Sequence, residues 1–84
     1  MNPRITDVEP LDNFILRMKF TDNSIREFDM KPYLKYPAFE PLNENSLFKK
    51  ASIFLGTIKW NDEIDMSPDT LYLESKVIKK KGEA

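Results

Sequence analysis

Phe14, Leu16, Met18 and Phe20 alternate with Ile15, Arg17 and Lys19, the period of two expected of a strand with one buried face. The alternation predicts a strand over residues 14–20 whose even positions face a core. Residues 4–11 predict a strand before it, in which the apolar Ile5 and Val8 differ in parity, so Pro10 or a bulge is expected to interrupt the pairing. Asp12-Asn13 and Asp22-Asn23 supply turn residues at the two ends of the central strand. Residues 24–30 predict the returning strand, with Phe28 and Met30 toward the core, Glu27 and Asp29 toward water, and Ile25 on the wrong parity.

Pro32, Pro37 and Pro41 then preclude a continuous helix or an interior strand over residues 31–42. Tyr33, Leu34, Tyr36, Phe39 and Leu42 nevertheless give that connection enough apolar surface to be pinned to the sheet, with a helical turn after Pro32. Asn43 or Asn45 is expected to cap a short helix with Leu47, Phe48 and Ala51 along one stripe. In the next segment Phe54, Gly56, Ile58 and Trp60 alternate with Leu55, Thr57 and Lys59. This predicts a second hairpin that turns at Asn61-Asp62 and returns through Ile64 and Met66. Gly56 marks a place where another element approaches closely. Ser67 reads as a helix N-cap, with Pro68 at the first helical position, Asp69 near the positive helix end, and Leu71 and Tyr72 following. Beyond Val77 the chain is expected to fray. Together these elements predict one α+β domain over residues 1–78, a small antiparallel sheet of two hairpins (about five strands) with one or two short helices, and a flexible basic tail over residues 79–84.

Composition narrows the chemistry more than the fold. At 84 residues the chain suits a single domain with a thin stability margin. Cysteine is absent, which removes disulfides and thiolate zinc sites. Histidine is absent too, which removes Ser-His-Asp and Cys-His nucleophiles and histidine-bound metals. Gly56 and Gly82 are the two glycines, too few for a glycine-rich phosphate loop. None of the serines sits in a G-x-S-x-G elbow. A net charge of -1 withdraws the usual electrostatic case for direct nucleic-acid binding. Neither a secretory leader nor a run of about 20 apolar residues is evident, so no membrane span and a cytoplasmic location are expected.

Charge is unevenly placed, however. Residues 60–75 hold Asp62, Glu63, Asp65, Asp69 and Glu74 with no basic residue, while Lys76, Lys79, Lys80 and Lys81 crowd the end. The four closest acids are candidates for general acid–base work or for binding a hard cation. Their spacing lacks the glycine and distant glutamate of an EF-hand, and each has a local role as turn, strand or helix-start residue. No metal or cofactor is therefore expected. Tyr33, Tyr36, Phe39 and Trp60 are candidates for an aromatic platform, with core packing as the simpler account.

Gly56-Thr57-Ile58-Lys59-Trp60 followed by Asp65-Met66-Ser67-Pro68-Asp69-Thr70-Leu71-Tyr72, with Phe28-Asp29-Met30 and Leu47-Phe48 before them, resembles a family of small bacterial proteins known as domain of unknown function 2442. The resemblance covers nearly the whole chain and implies a fold like the N-terminal domain of a Nitrosomonas regulator. Similar proteins often carry glycine after the tryptophan, where this chain has Asn61-Asp62-Glu63. Members of the family occur alone or ahead of a helix-turn-helix segment. Solitary ones are often encoded beside another small protein in a layout that looks like a toxin and antitoxin pair.

The expected function is a non-enzymatic protein-binding module, an antitoxin-like partner of a small neighbouring protein, with self-association as a further mode. Its contact surface is expected at an exposed sheet edge or in the acidic region, on Trp60, Asp62, Glu63, Asp65, Asp69 and Tyr72, the acids favouring a basic partner. The alternative is a regulatory or small-ligand-sensing domain associated with transcription control. A carboxylate-dependent, metal-assisted enzyme centred on Asp65 ranks below both.

Overall fold

The structure, a computed structural model, describes residues 2–79. β1 (Ile5–Leu11), β2 (Ile15–Phe20) and β3 (Ile25–Asp29) form an antiparallel meander. β4 (Ser52–Phe54), β5 (Thr57–Lys59) and β6 (Asp65–Met66) form a second, smaller one. α1 (Asn45–Phe48) precedes the small sheet, and α2 (Pro68–Leu73) leads from it to β7 (Lys76–Lys79), which pairs antiparallel with β3. Among the described residues the strand orders are β1-β2-β3-β7 and β4-β5-β6, so the α+β class and antiparallel pairing stand, with two sheets in place of one. No described helix is long and apolar enough to cross a membrane.

β2 is built as its alternation demands, with Leu16, Met18 and Phe20 buried and Arg17 and Lys19 exposed. It starts at Ile15, because Asn13 and Phe14 both take positive φ (63° and 59°) in the preceding 3₁₀ turn. Phe14 still packs on the core, edge-on to Phe48 at 5.2 Å. The parity conflict in β1 is resolved by a register shift between Ile5 and Asp7, and Pro10 is tolerated because β1 is an outer strand. Asn23, at φ 67°, completes the turn into β3.

On the outer face of the larger sheet, pairing aligns Glu9, Arg17, Glu27 and Lys76 across the four strands. Charges of alternating sign thus neighbour one another, and Arg17 closes on Glu27 at 2.7 Å. On the inner face Leu16, Met18, Phe20, Phe28 and Met30 meet Leu42, Phe48, Ile58, Trp60, Ile64, Met66 and Leu71 in one apolar core. Elements from both sheets line it. The sheets also touch directly, where Ile5 N donates to Gly56 O at 2.9 Å.

Between β3 and α1 the proline-rich connection is pinned to the core as expected, in 3₁₀ turns at Lys31–Tyr33 and Glu40–Asn43. Neither asparagine caps α1, whose N-cap is Glu44 without a side-chain bond. Asn43 instead donates its amide to Leu34 O (3.2 Å) and Glu40 O (3.0 Å), because this lets it close the connection upon itself. Ala51 lies beyond the four-residue helix. Ser67 does cap α2, accepting from Asp69 N at 3.2 Å.

The second hairpin differs most from expectation. The alternation over residues 54–60 is broken by a tight turn in which Leu55 (φ 52°) and Gly56 (φ 81°) separate the paired Phe54 and Thr57. Positive φ at both central residues is the geometry that matches the twist of two strands. At the other end, Val77 does not end regular structure, since Ile78 and Lys79 continue β7 along β3. The remainder of the expected flexible tail, residues 80–84, lies outside the described residues.

Candidate functional site

Trp60 follows β5 and points inward. It is 5% exposed, its ring stacks on Phe48 at 6.4 Å, and its Nε1 donates to Phe48 O at 3.1 Å. That bond satisfies the indole and holds the small sheet to α1, which leaves the ring no free face for a partner. Trp60 N then donates to Ile64 O (2.9 Å), and Asn61 Oδ1 accepts from the amides of Glu63 (2.8 Å) and Ile64 (2.9 Å). The expected two-residue turn is thus a three-residue loop, shaped by the Asn61 side chain.

Asp62 and Glu63 project from this loop, and Asp65 follows on β6 opposite Lys59. Asp62 receives Lys59 Nζ at 3.3 Å. Asp69 sits exposed in the first turn of α2, where Asn2 Nδ2 donates to it at 3.3 Å. Three of the predicted acids therefore share one end of the small sheet and the fourth begins the next helix. No three carboxylates among the described residues converge as metal ligands.

Tyr72 belongs to a different constellation, which the sequence did not suggest. Arg26 occupies an inward position of β3, half-buried, with its guanidinium 3.8 Å from the centroid of the Tyr72 ring and 5.9 Å from that of Phe20. Its Nε donates to Ser24 Oγ (3.0 Å), and Tyr72 OH donates to Asp22 Oδ2 (2.9 Å). Burial opposes ionisation of Asp22, but hydrogen bonds from the Ser24 hydroxyl and amide and from Tyr72, with the charge of Arg26, outweigh it and hold the carboxyl below its ordinary pKa. The cluster locks α2 to the turn between β2 and β3. The side chains of Asp22, Ser24, Arg26 and Tyr72 bond to one another or to the Tyr72 carbonyl, the arrangement of a clasp.

Ser46-Leu47-Phe48-Lys49 has the S-x-x-K spacing of some acyl-enzyme nucleophiles. Lys49 Nζ, however, is turned to Asp12 at 3.1 Å, and Ser46 is exposed. Nothing there brings a base to the hydroxyl.

Among the described residues, two open surfaces bear on a binding role. The first is a shallow groove of about 380 Å³ lined by Phe28, Asp29, Pro32, Tyr33, Lys35, Tyr36 and Glu74, with Lys35 Nζ 5.5 Å from the Tyr36 ring centroid. Burial raises the Tyr33 phenol pKa, and the charge of Glu74 and the neighbouring Tyr36 add to the shift, so Tyr33 stays neutral. Of the expected aromatic platform, Tyr33 packs near Tyr36 (6.2 Å) and Phe39 (6.4 Å), while Trp60 is elsewhere.

The second surface is the tip of the small sheet with the exposed side chains of β4, whose outer side runs beside β1. Ile53, Phe54 and Leu55 are 40%, 48% and 81% exposed. Leu55 is disfavoured there twice, by its positive φ and by its bare apolar surface. Lys59 Nζ lies 4.2 Å from the Phe54 ring centroid, and the Arg4 side chain lies against Gly56, where an added Cβ would come within 3.0 Å of it. The sequence held this signal in Ile53-Phe54-Leu55-Gly56, but the apparent alternation concealed a turn.

A family model described as "Protein of unknown function (DUF2442)" matches residues 5–77. The chain belongs to that family. The DUF2442 match runs from the first residue of β1 into β7 and so takes in both sheets, both helices and the apolar tip. No curated protein and no solved structure matches the chain.

Proposed function

We propose that this DUF2442 domain is a non-enzymatic, cytoplasmic protein-binding module that grips a small partner, in antitoxin-like fashion, through the apolar tip of its small sheet. The observation that carries the reading is Leu55, an 81% exposed leucine held at positive φ. Asparagine would relieve both the steric and the solvation penalty there. An unfavourable local choice of this kind is a reason to look for a compensating contact. Ile53 and Phe54 extend the apolar surface along the strand. Asp62, Glu63 and Asp65 form an acidic rim at the opposite end of the same sheet, suited to steering a partner that carries basic groups there.

The test is copurification with the product of the adjacent gene. A complex is expected with the wild-type chain, with at least a tenfold loss of affinity in Leu55→Glu, since burying one such side chain is worth about 1.5–3 kcal/mol. Undiminished association of Leu55→Glu would defeat the assignment.

A second reading, a regulatory domain sensing a small ligand, draws on the Tyr33 groove, where the aromatic faces and Glu74 would hold a cationic group in competition with Lys35, 5.5 Å from the Tyr36 ring, while Asp29 is paired with Lys31 at 3.1 Å. It calls for a rise in melting temperature with arginine or choline that Tyr33→Ala abolishes.

A further inference from the structure

We infer that the outer edge of β7 is a third surface, separate from the apolar tip, and that it takes up an extended acidic strand from a protein partner. The ladder sets which backbone groups are available. Phe20 N bonds to Ser24 O and Met30 N to Phe14 O, and between these ends Met18 pairs with Arg26 and Leu16 with Phe28. The backbone groups of Ser24, Arg26, Phe28 and Met30 are thereby directed toward β2, and those of Ile25 and Glu27 toward β7, as alternation in an antiparallel sheet requires. Lys76, opposite Glu27, consequently spends its N–H and C=O on β3. Val77, opposite Arg26, directs its own N–H and C=O to the far side. β7 is an outermost strand of the larger sheet. The other outermost strand, β1, has β4 beside it, whereas among the described residues no strand or helix except β3 runs along β7, and no backbone group bonds to Val77 from the outer side.

Lysines and bulges guard such edges against indiscriminate pairing, and β7 has both. Lys76 is exposed, Lys79 pairs with Ile25 across a register shift, and Lys80 and Lys81 follow in the sequence. The nearest acids of the ladder are already answered, Glu27 by Arg17 at 2.7 Å and Asp29 by Lys31 at 3.1 Å, while Glu74 shares its groove with Lys35. The guard therefore acts as a selector, repelling a basic strand and attracting one that carries carboxylates. Ile78, 47% exposed, adds apolar surface to the same strand. A second copy paired β7 to β7 would bring two lysine runs together. Phosphate groups, of nucleic acid or of lipid, would answer the lysines but bring only acceptors, leaving the Val77 C=O without a donor. An acidic strand supplies the donor, the acceptor and the negative charge together.

The probes are two eight-residue peptides, one alternating threonine with glutamate and one alternating threonine with lysine, offered to the full chain. The glutamate peptide is expected to bind at or below roughly millimolar concentration, more weakly as salt is raised, and to slow hydrogen exchange at the Val77 amide when saturating. Its affinity should fall at least tenfold in Lys76→Glu/Lys79→Glu, and likewise in Val77→Pro, which loses the outward N–H and leaves the donors facing β3 in place. Should Val77→Pro fail to fold, exchange protection of the Val77 amide in the wild-type chain decides the same point. Equal binding of the lysine peptide, no binding of the glutamate peptide, binding without protection of Val77, equal protection by an oligothymidylate or by phosphatidylserine vesicles, or self-association that protects Val77 would each overturn the acidic strand. Leu55 lies on the other sheet, so Leu55→Glu should leave glutamate-peptide binding unchanged, and its loss there would place the peptide at the tip instead. The complex with the neighbouring gene product tests the tip by itself, whatever the peptides do at β7.

Discussion

Arg26 illustrates how a single charged residue can occupy an inward position. Its guanidinium is weakly hydrated and planar, so the ring faces of Tyr72 and Phe20 can shelter it, while Ser24 and the Tyr72 carbonyl accept its hydrogen bonds (3.0 and 3.4 Å). The same cluster makes a pH prediction. Asp22 has a lowered pKa in the folded chain, so its stabilising contribution is present above the unfolded value of about 3.9 and is lost as pH falls through the folded value. Asp22→Asn should therefore flatten part of the acid limb below about pH 4 in urea midpoints, while leaving the slope between pH 6 and 8 as in the wild type. A parallel acid limb in the variant would show that the carboxylate gains nothing from its neighbours.

Among the elements, the β4–β5 hairpin is the most exposed to test. Leu55 and Gly56 both hold positive φ, a demand that glycine meets freely and leucine at a cost of about 1–2 kcal/mol. Leu55→Asn should raise stability by about 1 kcal/mol while weakening partner capture. A chemical-denaturation series read beside the binding assay checks both, and a destabilised variant would remove the case for stored strain. This hairpin also shows where sequence patterning stops being informative. β2 was legible because one face is buried and the other is wet, and the start of α2 because Ser67-Pro68-Asp69 matches what a helix terminus needs. The turn at Leu55-Gly56 was hidden because leucine is a poor turn residue and the alternation on both sides runs on across it. β7 was hidden because the chain beyond Val77 read as fraying and Lys79 as the start of a basic tail, although Lys76 is placed opposite Glu27 and Lys79 opposite Ile25 in the ladder.

At the scale of the molecule, the shared core predicts a single cooperative transition. Trp60 is the one tryptophan and is packed between the small sheet and α1, so its fluorescence reports that half, whereas far-ultraviolet circular dichroism weighs every strand. The two signals should lose native value at the same urea concentration. Separate midpoints would mean that the sheets unfold independently. The candidate site was legible only in part: the sequence located an acidic end and named a sheet edge in general terms. Core packing was already the simpler account of Trp60, but the sequence could not name the groups that consume Trp60 and Tyr72, because those are Phe48, Asp22 and Arg26, brought to them only by the fold.

The amide of Ile5 reaches across to the carbonyl of Gly56, one residue past the bare leucine. Whatever takes hold of that corner also leans on the first strand, so a guest there is felt by the larger sheet through one short link and with no hinge between them.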